Sequence, residues 1–428
     1  MKHSSSQGRG GKPNRSKSGS RKPNSHRSGP SRSTSRKQAA TSAFESDKHF
    51  DPSRPLRNTS DRLILEQASE ILPGKALLIL VNGSALARRI TMAREEVQWK
   101  IFTFEHFYLQ ALTESLSEAA DEGCEAEIDL YCNPDLPEDE YDSIVMPTDS
   151  RGTAEVTRDL LQNAERMLKP AGRLLVSTNN PRDHWLNEQL KDLFGRVTVI
   201  REKTGICYVA RKKTKPVKQK NFDAEFAFRD GETLVRCLSR PGVFSHRRVD
   251  AGARALIKSM DLLPDKGALS QNKLRTIVDL GCGCGSVAAA AAIRCPQASV
   301  LAVDSHARAV HATQQTAELN NVENVSVMLT SNGVLPNPAS YDLFLCNPPY
   351  YSDFRISEIF LQSADEAVRA GGRIHLVTKL RDVHRDRMQE LFGNAEVHSI
   401  GDYDVIVSTQ PNSGRGKSKF DGSWSRQK

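Results

Sequence analysis

Sliding the chain 200 residues along itself brings Tyr141-Asp142 onto Tyr341-Asp342, Leu161-Gln162 onto Leu361-Gln362 and Ala164 onto Ala364. The same shift puts Gly172-Arg173 on Gly372-Arg373 and Thr178 on Thr378. That makes 8 identities over positions 141–178 without a gap, against roughly 2 expected from average residue usage. Leu193-Phe194-Gly195 also resembles Leu391-Phe392-Gly393. A repeat this long means two copies of one supersecondary design. Apolar strands alternating with helical stretches make each copy an α/β unit. The expected layout is a tail over 1–50, a first copy over 56–210, a linker over 211–221, a second copy over 222–410 and a tail over 411–428.

Charge supports this division. The net charge of +8 is unevenly spread. Residues 1–40 carry 11 Lys and Arg and no acid, and 411–428 carry a net +4, so the middle is a net −7. Residues 1–43 offer almost nothing to bury and are expected to be disordered. They read either as a solvated extension or as an arm that tethers RNA through phosphate contacts. A transit peptide would need an amphipathic apolar face, which the segment lacks. The run from Arg211 to Lys220 is all-cationic and contains Pro216, as an interdomain linker would. No run of about 18 apolar residues occurs, which argues against a membrane-spanning helix. No signal peptide is legible, and the eight cysteines are scattered, as suits a reducing cytoplasm.

The second copy holds the chemistry. Thr276-Ile277-Val278 reads as a strand running into Asp279-Leu280-Gly281-Cys282-Gly283-Cys284-Gly285 and then an Ala-rich helix. Strand, Gly-rich turn and helix are the start of a Rossmann-like fold, in which a ligand comes close to the backbone. A second strand ends at Asp304, whose carboxylate is placed to accept the ribose hydroxyls of a nucleoside cofactor. Cys282 and Cys284 lack a second Cys or His pair at ligand spacing, so they read as small loop residues and no metal site is expected.

Leu343-Phe344-Leu345-Cys346 then runs into Asn347-Pro348-Pro349-Tyr350. Two prolines cannot continue a sheet and make a rigid turn at the strand's carboxyl end, where open α/β sheets bind ligands. The Asn347 amide oxygen and the Pro348 carbonyl can accept both protons of a planar amino group. Its lone pair is then aimed at a methyl donor, and Tyr350 offers a ring for a base to stack on.

On these motifs, residues 241–410 resemble class I S-adenosylmethionine-dependent methyltransferases of the Asn-Pro-Pro-Tyr type, which methylate exocyclic or amide nitrogens. More narrowly, the chain is similar to the bacterial ribosomal RNA guanine-N2 methyltransferases. That match rests on Pro241-Gly242-Val243-Phe244-Ser245 followed by Val249-Asp250-Ala251-Gly252, on Thr330-Ser331-Asn332 after the third strand, and on a degenerate copy ahead of the catalytic one. The resemblance implies two tandem Rossmann-like methyltransferase domains, the first degenerate. It places Asp279, Gly281, Gly283 and Gly285 at the methionine and ribose side of S-adenosylmethionine, Asp304 at the ribose, and Ser331 and Asn332 at the adenine. Phe244 and Ser245 would close over the methionine end, and Asn347, Pro348 and Tyr350 would hold the target guanine. The implied partner is ribosomal RNA or a ribosomal subunit, most simply 16S RNA, met by a monomer. The guanine enzymes usually carry Phe and then His after the prolines, where this chain has Tyr350-Tyr351.

The first copy lacks the apparatus. Ala76 to Ser84 stands where the Gly-rich loop should be, with Gly83 as its single glycine, and Met146-Pro147-Thr148-Asp149 replaces the asparagine motif. Methylation of adenine N6 or of a protein glutamine stays open as another enzymatic reading. A non-catalytic RNA-binding assembly factor and a dehydrogenase are the readings from other classes. The asparagine turn has no role in hydride transfer.

Overall fold

The computed structural model describes residues 56–412 apart from 82, 84, 213–217, 265–266, 268 and 350–353. Both expected tails, the centre of the linker and Tyr350 lie outside the described residues, the tails but for 411 and 412.

Two seven-stranded sheets share one topology. The first holds β1 (Gly74–Leu80), β2 (Val97–Thr103), β3 (Ile128–Cys132), β4 (Tyr141–Thr148), β5 (Leu168–Thr178), β6 (Val197–Arg201) and β7 (Ile206–Arg211). A hairpin of β8 (Ala224–Asp230) and β9 (Thr233–Ser239) follows. The second sheet holds β10 (Thr276–Leu280), β11 (Ser299–Asp304), β12 (Val325–Leu329), β13 (Tyr341–Cys346), β14 (Val368–Thr378), β15 (Glu396–Ile400) and β16 (Tyr403–Thr409). Their orders are β3-β2-β1-β4-β5-β7-β6 and β12-β11-β10-β13-β14-β16-β15. In each, five strands run parallel and the last two form an antiparallel edge. This is a doubly wound α/β architecture in each copy, of the α/β class read from the repeat. The central strands are buried on both faces, as continuous apolar runs such as Leu77-Leu78-Ile79 require.

The residues that the two copies share build this frame. Tyr141 donates its hydroxyl to the Pro137 carbonyl at 2.9 Å, and Tyr341 donates to that of Pro336 at 3.0 Å. Asp142 accepts from the Lys75 amide at 2.9 Å and from Lys169 Nζ at 2.8 Å. Asp342 likewise accepts from the Arg275 amide and from Arg369 Nε, each at 2.6 Å. The tyrosine and aspartate therefore pin the start of the fourth strand to its neighbours in both sheets. A β-carbon at Gly172 would lie 2.9 Å from the Lys169 carbonyl, and one at Gly372 2.9 Å from that of Tyr341, so both strands cross there at glycine.

The Ala-rich helix Ser286–Arg294 buries seven consecutive residues, Ser286 to Ala292, because side chains this small let it lie close to the sheet and its neighbours. The sheets meet through the turns that follow β2 and β11. The His106 amide donates to the Ser305 carbonyl and the Ala307 amide to the Phe104 carbonyl, each at 2.8 Å. Glu105 and His306 form an antiparallel bridge, and the Phe104 ring stacks on His306 at 5.3 Å. Arg308, 1% exposed, bolts the seam: it donates to the Pro134 carbonyl at 2.9 Å and to Asp159 at 2.6 Å, and lies over the Phe104 ring at 4.3 Å.

Candidate functional site

At the carboxyl end of β10, Gly281, Gly283 and Gly285 take φ of +82°, +57° and +78°, a region that side chains with a β-carbon rarely enter. The amides of Gly281 and Cys282 both donate to the Val303 carbonyl, at 2.8 and 3.0 Å, which ties the loop to β11. A β-carbon on Gly285 would lie 2.8 Å from the Thr313 Cα, so the helix Ala307–Leu319 admits only glycine there. Asp279 is 2% exposed at the head of this loop, and its Oδ2 has no hydrogen-bond partner among the described residues. Burial, with Asp304 nearby, pushes its carboxyl up to about 8. A buried carboxyl oxygen left unpaired suits a ligand that brings a donor or a positive charge.

Asp304 stands at the end of β11. Its Oδ2 accepts from the Gly283 amide at 2.9 Å and its Oδ1 from the His306 amide at 3.0 Å. Burial raises its pKa, and these amides oppose the shift. Each oxygen keeps a lone pair, so the carboxylate is anchored to the loop and still able to accept from a diol.

The Thr330 amide donates to the Asp304 carbonyl at 3.0 Å, which sets Thr330-Ser331-Asn332 beside it. Asn332 Oδ1 accepts from Thr330 Oγ1 at 2.8 Å and from the Val334 amide at 3.0 Å. Its amide nitrogen is left as the donor to a ligand. Ser331 Oγ lies 3.1 Å from His106 Nδ1 and 3.1 Å from Gln110 Oε1, both on the helix His106–Asp121 of the first sheet.

At the end of β13, Asn347 is half-buried and Pro348 buried. Asn347 Nδ2 donates to Asp250 Oδ2 at 3.1 Å. The same oxygen caps the helix Ala251–Ser259 by accepting from the Ala253 amide at 3.1 Å. With its nitrogen held, the Asn347 amide presents Oδ1 as an acceptor to which, among the described residues, nothing donates. A β-carbon on Gly252 would lie 3.2 Å from that oxygen and 3.2 Å from the Tyr403 ring, so glycine keeps the space open. Lys379 Nζ lies over Tyr403 at 4.6 Å.

The structure thus joins Asp279, the three glycines, Asp304, Ser331 and Asn332 by hydrogen bonds or chain continuity, with Asn347 and Pro348 one strand away on β13. Phe244 and Ser245 are placed differently. Phe244 is 68% exposed, Ser245 Oγ donates to the Arg248 carbonyl at 2.9 Å, and the preceding segment is held by Arg308 Nη1 on the Pro241 carbonyl at 2.8 Å. Asp250, Glu105, His106 and Gln110 were not among the expected site residues. Asp250 lies in a motif noted only as a family feature, and nothing in the sequence pairs the other three with the second copy. His306 sits in the seam between the sheets, where burial and Arg308 push it down to about 4.

In the first copy Pro147 stands in the place of Asn347, and the next residue, Thr148, is engaged within its own domain. Thr148 Oγ1 donates to the Ser177 carbonyl at 2.7 Å, and Ser60, from the helix Thr59–Glu66, donates to the Thr148 carbonyl. Among the described residues no three His, Cys, Asp or Glu side chains gather as a metal site would require, and no helix is long and apolar enough to cross a membrane.

Residues 235–407 match the family model of the methyltransferase small domain. The ribosomal RNA small subunit methyltransferase C of Pseudomonas entomophila is 33% identical over 179 residues, 41% of this chain and 50% of that protein. The chain thus spans about half the length of this relative. The protein of the same name from Pseudoalteromonas translucida is 24% identical over 352 residues, 78% of this chain and 96% of that protein. Among solved structures, the T. thermophilus 16S rRNA N2 G1207 methyltransferase (RsmC), in complex with AdoMet and guanosine, is 19% identical with a TM-score of 0.68. It covers 85% of this chain and 97% of its own. The two-domain fold read from the repeat is therefore a known one.

Proposed function

We propose that the chain is an S-adenosylmethionine-dependent methyltransferase that modifies the exocyclic N2 of a guanine in ribosomal RNA of the small subunit. The observation that carries this reading is the Asn347 amide, fixed by Asp250 with its oxygen free, one strand from a glycine loop that ends beside Asp304.

The residues fit the cofactor. The unpaired Asp279 oxygen, the glycine backbone and the anchored Asp304 carboxylate suit a positively charged nucleoside. When bound, it supplies an activated methyl group, so the protein needs no strong base. Asn347 Oδ1 and the Pro348 carbonyl accept the two protons of the target amine and turn its lone pair toward the methyl carbon. Both acceptors favour the positive charge that builds on that nitrogen as the N–C bond forms and the methyl carbon's bond to the sulfonium breaks, its electron pair leaving with the sulfur. The nitrogen's surplus proton, held at Asn347 Oδ1, then departs to water. Catalysis is mainly positioning. A base inside a duplex cannot reach such a corner, so the guanine is single-stranded or flipped out, with Tyr350 as its stacking partner.

The names of the similar proteins, which specify small-subunit RNA and guanine N2, support this reading. Tyr350 in place of the usual Phe favours a second reading, methylation of adenine N6. Incubation with tritiated S-adenosylmethionine and unmethylated small subunits, followed by nucleoside analysis, separates the two. Label in N2-methylguanosine supports the proposal. Label in N6-methyladenosine keeps the mechanism and overturns the base, and no label in RNA overturns the reading as an RNA methyltransferase.

A further inference from the structure

The turns after β2 and β11 occupy equivalent places in the two copies, since Glu105 and Ser305 are 200 residues apart. The sheets pair these turns with each other. Ser305 Oγ donates to Glu105 Oε2 at 2.9 Å, and the backbone bonds of His106 and Ala307 flank that contact. Asp304 immediately precedes Ser305, and its Oδ1 is held by the amide of the residue that follows it, His306. The position of the Asp304 carboxylate is thus set by a three-residue turn with one side bonded to the first copy.

A second contact falls on the neighbouring strand end. Ser331 has one hydroxyl hydrogen, which goes to Gln110 Oε1, so it meets His106 Nδ1 as an acceptor. One lone pair is left on Ser331 Oγ, and it can accept from an amino group such as that of adenine. Without the helix His106–Asp121 this hydroxyl would be free to rotate.

We propose that Glu105, His106 and Gln110 of the first domain are positioning residues of the cofactor site in the second, Glu105 setting the Asp304–Ser305 turn while His106 and Gln110 fix the Ser331 hydroxyl. This rests on reading Asp304 and Ser331 as contacts to the ribose and adenine. The degenerate domain then serves the active site directly, completing the wall of the adenosine pocket, whichever base is methylated.

The test uses the full chain with Glu105→Ala, Glu105→Gln and Gln110→Ala, and with Asp304→Asn as the reference for the pocket. The readouts are the S-adenosylmethionine Kd by calorimetry, KM and kcat for methyl transfer, and Tm without cofactor. Glu105→Ala and Gln110→Ala are each expected to raise Kd and KM for S-adenosylmethionine about fivefold, as one lost hydrogen bond does, with kcat at saturating cofactor within about twofold of wild type. Glu105→Gln keeps an acceptor for Ser305 and is expected to restore wild-type affinity, which a merely structural role would not require. Gln110 is exposed, so its variant carries the test if Glu105→Ala does not fold. Weaker binding in Asp304→Asn with unchanged binding in Glu105→Ala and Gln110→Ala would overturn the proposal and leave the pocket standing. Unchanged binding in Asp304→Asn would overturn the pocket assignment itself, and the proposal with it.

Discussion

Asp250 Oδ2 accepts at once from Asn347 Nδ2 and from the Ala253 amide, each at 3.1 Å, so one oxygen starts a helix and orients the amide at the end of β13. The two functions can be separated. Asp250→Ser keeps a capping oxygen but is too short to hold Asn347, whereas Asp250→Ala removes both. Both variants are expected to lower kcat about 10-fold or more, the worth of an orienting bond of 1–3 kcal/mol. Only Asp250→Ala should also lose about 1 kcal/mol of stability through the missing cap. Steady-state kinetics beside thermal melts would show the split, and a wild-type kcat in Asp250→Ser would remove Asp250 from the account of catalysis.

Asn347→Ala takes away the amide that accepts from the target amine. S-adenosylmethionine affinity should stay within about threefold of wild type while turnover falls at least 100-fold, in line with the loss of a donor or acceptor that acts in the transition state. Calorimetry and single-turnover assays measure the two quantities. An equal loss of both would mean that Asn347 belongs to the cofactor pocket.

Gly285→Ala places a β-carbon 2.8 Å from the Thr313 Cα at a φ of +78°. Strain of about 1–3 kcal/mol from the backbone alone is expected, with more from the clash. The variant should melt earlier and lose cofactor binding, whereas Gly231→Ala, in the open hairpin turn, should bind normally. Normal cofactor binding by Gly285→Ala would show that the loop can move away from Thr313.

The repeat in the sequence read out the fold so well because the shared residues are structural. Tyr141, Asp142 and Gly172 and their partners Tyr341, Asp342 and Gly372 pin strands in both sheets, so they survive where function has gone. The glycine loop, Asp304 and Asn347 were legible for another reason: each is local to a strand end, where spacing alone implies a place. Asp250 was not, because it meets a side chain 97 positions away. Glu105, His106 and Gln110 were further out of reach, since their partners lie across a seam about 200 residues distant. The hairpin of β8 and β9 was also missed. It bonds to the helix Ala307–Leu319 through the Leu238 amide and Thr316 at 3.0 Å, a contact no local pattern announces.

The seam should respond to pH. Burial, and next the charge of Asp304, push the Glu105 carboxyl up to about 7, against the hydrogen bond from Ser305. A carboxyl with a raised folded-state pKa stabilises the fold fully below its ordinary value near 4.3, and that contribution is lost as pH rises through about 7. Cys132, the other titratable group that feels Glu105, stays a neutral thiol over this range because burial raises its pKa to about 11. Glu105→Gln lacks the charge. Its Tm relative to wild type should therefore climb between about pH 4 and pH 7 and level off above, and a difference that does not change with pH would contradict the assignment.

The most direct test of the central claim is nucleoside mass spectrometry of small-subunit RNA from cells lacking the gene, complemented with wild type or with Asn347→Ala. The expected result is a single N2-methylguanosine that disappears with the gene, returns with wild type and does not return with Asn347→Ala. An unchanged N2-methylguanosine content on deletion, or full restoration by Asn347→Ala, would contradict it.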